Sequence, residues 1–90
     1  MTYLIVKMVL LPIMVYFYEV YDKGYIFKNI SSENLKTINK YFIKSQINDW
    51  NLQSNIDNFS RIISEKSNLS DKLFDFPLQE IEDFMSEKKK

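Results

Sequence analysis

Carboxylates at Asp71 and Asp75, and again at Glu80 and Asp83, stand at helical spacing, so each pair could offer two oxygens to one hard cation. Nothing else in the chain supports a metal. There is no Cys, hence no disulfide, thiolate nucleophile or sulfur-ligated zinc, and no His, the commonest general base and metal ligand. A single glycine, Gly24, rules out a glycine-rich phosphate loop. Carboxylates alone can still hold Mg²⁺ or do acid–base work, as in nucleases and glycosidases. With no supporting residues, the expectation is a protein that is not an enzyme and uses no cofactor or metal.

Two constellations point instead to binding. The aromatic residues Tyr16, Phe17, Tyr18, Tyr21, Tyr25 and Phe27 fall close together, and exposed aromatics can stack nucleic-acid bases or fill a protein interface. Lys23 and Lys28 lie nearby, and Lys36, Lys40 and Lys44 could meet phosphates nonspecifically. No ribonucleoprotein-type motif accompanies them, however, and Arg61 is the lone arginine, so a single-stranded nucleic-acid binder is a secondary reading. The second constellation is acidic: Glu80, Asp83 and Glu87, with Glu82 and Asp75 close by, could engage a basic groove on a partner. The plainer account of those charges is a solvated helical face.

These residues need elements to carry them. Ninety residues make one domain with room for one core, and 46% hydrophobic with 16% aromatic residues is too much apolar surface for a disordered chain. The expected domain spans residues 1–87, with a disordered lysine tail at 88–90. From Tyr3 to Val20 the only charges are Lys7 and Glu19, and apolar and polar residues do not alternate cleanly. The uncharged run Met8–Tyr18 is short of the roughly 20 residues of a spanning helix and holds Pro12. It also lacks the small residues of a signal-cleavage site. Anchoring by residues 3–21 therefore stands as the alternative to a soluble chain.

Richness in Val, Ile, Tyr and Phe predicts strands over Thr2–Leu10 and Ile13–Tyr21, interrupted at Pro12. Asp22-Lys23-Gly24 then reads as a hairpin turn and Tyr25–Ile30 as the return strand. From Ser31 the period changes to about 3.6. Ser31 or Ser32 caps a helix running to about Ser45, with Leu35, Ile38, Tyr41, Phe42 and Ile43 on one face. A second helix carries Leu52, Ile56, Phe59, Ile62 and Ile63. After a loop at Ser67–Asp71 and a short apolar patch at Leu73, Phe74 and Phe76 that could form a single helical turn, a last helix opens at Asp75 and Pro77, with Leu78, Ile81, Phe84 and Met85 inward. The expected fold is α+β: an N-terminal antiparallel hairpin or three-stranded sheet followed by three packed helices.

Charge and codon bias complete the reading. Net charge is zero, yet residues 1–45 are lysine-rich and residues 46–87 carry nine acids against Arg61, Lys66 and Lys72. The chain has no Ala and abundant Ile, Asn, Lys, Phe and Tyr, the bias of an AT-rich genome. A sheet apolar on both faces wants a cover, which a protein partner or a second copy would supply. The functional expectation is a non-catalytic protein-binding module acting in the cytoplasm of a low-GC host. A small phage- or mobile-element-encoded inhibitor, or an immunity or antitoxin-like protein, fits that description. The contact residues expected are Tyr16, Tyr18, Tyr21, Tyr25, Glu80, Asp83 and Glu87.

Overall fold

The apolar N-terminal stretch is a helix. A computed structural model describes residues 3–88 and contains four α-helices: α1 (Tyr3–Asp22), α2 (Ser32–Ile47), α3 (Gln53–Asn68) and α4 (Leu78–Lys88), with a short 3₁₀ turn at Phe27–Asn29. Among the described residues there is no strand, so the α+β expectation and its N-terminal hairpin or sheet are overturned. Of the expected elements, Thr2 and the tail residues Lys89 and Lys90 lie outside the described residues.

The physical reason lies in a second periodicity. Val9, Pro12, Tyr16 and Val20 are buried at intervals of three and four, the spacing of one helix face. β-propensity is a weak preference that side-chain packing overrides. Pro12 sits inside α1 and is itself fully buried. Its ring forfeits one backbone hydrogen bond, and the helix continues through it because this face packs against the rest of the bundle.

Gly24 does take a positive φ, 93°, but in a different role from the one expected. It follows the helix end: the Gly24 N–H donates to Tyr21 O at 2.9 Å and the Tyr25 N–H to Val20 O at 3.2 Å. This crossed pair is a Schellman cap, in which a left-handed residue lets the chain fold back over the last turn. Residues 25–30 therefore leave a helix end instead of returning along a strand.

α2 starts where the hydroxyl predicts. Ser31 Oγ accepts from the Asn34 N–H at 3.1 Å, and Glu33 sits in the positive first turn. Its other end repeats the device of α1: Trp50 N–H donates to Ser45 O at 2.8 Å, with Asp49 at φ 54° in the glycine-favouring position. In both caps the residue after the left-handed one is aromatic, Tyr25 or Trp50, and folds back over its own helix.

α1 packs chiefly against α3 and also on α2, while α4 lies on α2 and α3. At the centre Tyr41 meets Phe59 edge-on at 6.0 Å, and Phe59 meets Trp50 at 5.7 Å and Phe84 at 6.3 Å. The residues before α4 form no helical turn; 73–77 has no regular secondary structure. It carries Phe76 to within 5.5 Å of Tyr16 and 5.2 Å of Tyr41, so one side chain bridges α1 and α2. Trp50 is buried, and its indole Nε1 has no hydrogen-bond partner among the described residues. An unpaired buried donor costs about 1–3 kcal/mol, here offset by the aromatic contacts of the ring.

Candidate functional site

Of the aromatic residues expected to make contact, Tyr16 is not available. It is fully buried, its hydroxyl donates to Phe74 O at 2.6 Å, and it accepts from Asn34 Nδ2 at 2.5 Å. Asn34 completes the set by accepting from the Phe76 N–H at 2.9 Å. Burial raises the Tyr16 hydroxyl pKa above the ordinary phenol value, against the lowering effect of the Asn34 hydrogen bond. Tyr41 shows the same upward shift from burial, with its hydroxyl donating to Val9 O at 2.9 Å. Both tyrosines are structural.

Tyr18 and Tyr21 lie on the opposite side of α1 and face solvent. Leu11 is 40% exposed, Met14 62%, Tyr18 66% and Tyr21 72%, and the four stand at intervals of three, four and three along the helix. That spacing makes one continuous stripe, since side chains three and four apart stack on one face. The helix is therefore apolar on two sides: Val9, Pro12, Tyr16 and Val20 are buried in the bundle, and Leu11, Met14, Tyr18 and Tyr21 stay exposed.

The stripe continues beyond the helix end. Phe17, Val20, Tyr21, Tyr25, Ile26, Phe27 and Ile30 line a shallow apolar depression of about 260 Å³. The Schellman cap builds it by laying Tyr25 back over Val20 and Tyr21, and the 3₁₀ turn then presents Phe27, whose ring lies 6.0 Å from that of Phe17. Tyr25 is half-buried in this depression; Ile26 and Phe27 are exposed.

The acidic residues belong to another surface. α4 and α2 border an open cleft of about 410 Å³ lined by Lys40, Lys44, Lys66, Asp75, Glu80 and Glu82. Two ion pairs cross it, Lys44–Glu82 at 3.0 Å and Lys66–Glu80 at 2.7 Å. The Lys66 hydrogen bond holds the Glu80 carboxyl below its ordinary value, partly opposed by desolvation. Glu80 is thus engaged within the chain. Asp83 accepts from Gln79 at 3.0 Å and stays exposed, as does Glu87. With lysines and carboxylates interleaved, the cleft offers no single-sign field for an anion or a cation. Among the described residues no three acidic side chains gather as metal ligands.

No hydrogen bond or ion pair among the described residues links the α1 stripe with the α4 acids: of the expected contact residues Tyr16 lies in the core, Tyr18, Tyr21 and Tyr25 at the α1 face, and Glu80, Asp83 and Glu87 on α4. Leu11, Met14 and Ile26 were in neither constellation, and Phe27 was in the aromatic one without being among the contact residues expected. The signal that finds Leu11 and Met14 is the 3-4-3 spacing with Tyr18 and Tyr21, visible only once the segment is read at helical period. Among the described residues no helix is long and apolar enough to cross a membrane. Comparison with protein-family models, with curated proteins and with solved structures finds no match to this chain.

Proposed function

We propose that the protein is a non-catalytic protein-binding module whose contact surface is the outer face of α1 with the adjoining Ile26–Phe27 turn. The observation that carries this reading is the exposure of Leu11, Met14, Tyr18 and Tyr21 in one unbroken stripe. Isolated apolar side chains on a surface are ordinary, whereas a contiguous ridge marks an interaction site. Its composition fits: Tyr, Phe and Met are enriched at the centres of protein interfaces and charge is depleted there. Such a module acts by stoichiometric occupation of its partner's surface, which needs none of the catalytic residue types the chain lacks.

The test is a pull-down with the whole chain and with a Tyr18→Lys/Tyr21→Lys variant that keeps its helical circular dichroism. A stoichiometric protein retained by the wild type and lost by the variant supports the reading. Capture of the same stoichiometric protein by both sinks it.

A further inference from the structure

We infer that the occupant of this face is a second copy of the chain, packed antiparallel about a two-fold axis that crosses α1 at the level of Tyr16. The inference rests on the reading of the α1 face as a protein-contact surface and adds the partner's identity.

A two-fold interface is isologous: if residue i meets residue j, then j meets i, so the patch must be complementary to itself. The stripe Leu11, Met14, Tyr18, Tyr21 has gaps of three, four and three, which read the same in both directions along the helix. Antiparallel packing therefore sets Leu11 against the partner's Tyr21 and Met14 against the partner's Tyr18. Each contact pairs a flexible aliphatic or thioether side chain with an aromatic ring, and sulfur–aromatic contacts are favourable in themselves. Alternating gaps of three and four also match the shallow crossing, about 20°, at which helix ridges interdigitate over their full length.

Charge agrees. Between residues 11 and 21 the only ionisable side chain besides tyrosine is Glu19, which lies off the stripe, so no like charges meet across the axis. Along residues 11–21 the helix also lacks the flanking Lys and Arg of helices that lie on anionic membranes, the lysines coming only after it at Lys23 and Lys28.

Area agrees as well. Taking roughly 200 Å² for a fully exposed large side chain, the exposures of the four stripe residues give on the order of 480 Å², and Ile26 and Phe27, which continue the face past the helix end, bring it to on the order of 700 Å². A standard interface buries about 800 Å² on each partner. The largest apolar patch on an ordinary monomer is about 300–600 Å².

The experiment is light scattering or sedimentation of the full-length chain over a wide concentration range, together with Met14→Lys and Tyr18→Glu. Both positions are exposed, so both variants should keep their helical circular dichroism. The expected result is a wild-type dimer whose dissociation constant rises at least tenfold in each variant. An equimolar mixture of the two variants should recover the dimer, because Lys at 14 then faces Glu at 18 across one half of the interface while the native pair persists in the other. A wild-type chain that is monomeric throughout overturns the second-copy assignment and leaves the pull-down above to decide the contact surface itself. A dimer that survives both substitutions places the contact elsewhere and also overturns it. Flotation of a monomeric chain on phosphatidylserine–phosphatidylcholine vesicles, abolished by Tyr18→Glu, would replace the second copy with a lipid surface.

Discussion

Asn34 on α2 donates its side-chain amide to the Tyr16 hydroxyl on α1, and that hydroxyl in turn donates to the backbone carbonyl of Phe74. Since Asn34 also accepts from the Phe76 N–H, two side chains tie α1, α2 and the irregular segment before α4 into one buried network. Every polar atom in it has a partner, which is what lets Tyr16 sit at the centre of an apolar core.

Removing either member should therefore cost more than a surface hydrogen bond. Tyr16→Phe leaves the Phe74 carbonyl and an Asn34 N–H unpaired in the interior, and Asn34→Ala leaves the Tyr16 hydroxyl short of a donor and the Phe76 N–H orphaned. Each is expected to destabilise the fold by about 1–3 kcal/mol, read from urea unfolding. The double variant should lose less than the sum of the two, because they share one network. Strict additivity would show that the two groups act independently.

The tyrosines also set an alkaline limit. Burial raises the hydroxyl pKa of Tyr16 and Tyr41 in the folded chain, while in the unfolded chain they ionise near pH 10. The stability they contribute is present below pH 10 and is lost as pH rises above it, because only the unfolded state releases the protons. Helical circular dichroism is expected to collapse above pH 10 together with a rise in tyrosinate absorbance. Tyr41→Phe, which cannot ionise at 41, should move that collapse to higher pH relative to its own neutral stability; an unchanged alkaline midpoint would contradict the assignment.

At the acid end the relevant group is Glu80. Lys66 lowers its folded pKa, so its contribution is present above the unfolded carboxylate value and fades as pH falls through the lower folded one. The pair is about two-fifths exposed on both sides, so solvent screening keeps its contribution under about 1 kcal/mol. Glu80→Gln should flatten the acid limb of the stability profile slightly and leave the neutral fold intact, as followed by thermal melts from pH 3 to 7.

The two helix caps should respond in opposite directions. A Cβ at Gly24 would touch nothing within 4 Å, so space is not the constraint there; the positive φ is. Gly24→Ala is expected to destabilise by about 1 kcal/mol. Asp49→Gly should stabilise by some tenths of a kcal/mol up to about 1, because Asp49 already occupies the left-handed region at φ 54°. Equal signs for the two would mean that backbone conformation is not what these positions select for.

A last contrast separates core from contact face. Phe59 is fully buried against Tyr41, Trp50 and Phe84, and Phe59→Ala should cost about 3–5 kcal/mol. Met14→Ala, on the exposed stripe, should change the stability of the monomer by less than about 0.5 kcal/mol. A large loss at Met14 in dilute solution would make it a structural residue after all.

The helices from Ser31 onward were legible in the sequence because each has one apolar stripe and a polar remainder, so Ile38 with Tyr41, Ile56 with Phe59 and Ile63, and Ile81 with Met85 declare a period of 3.6. Local chemistry likewise fixed the Ser31 cap and the positive φ of Gly24. Residues 3–21 carry no such contrast: Val9, Pro12, Tyr16 and Val20 are as apolar as Leu11, Met14, Tyr18 and Tyr21, so neither period stands out and β-favouring side chains with an internal proline read as strand. What decided the matter was tertiary: α3 and α2 cover one side of a helix but would leave a strand's two alternating faces unmatched. The same packing buried Tyr16 and left Tyr18 outside, a distinction of two residues that sequence alone leaves undetermined, because burial depends on which face a neighbouring helix reaches.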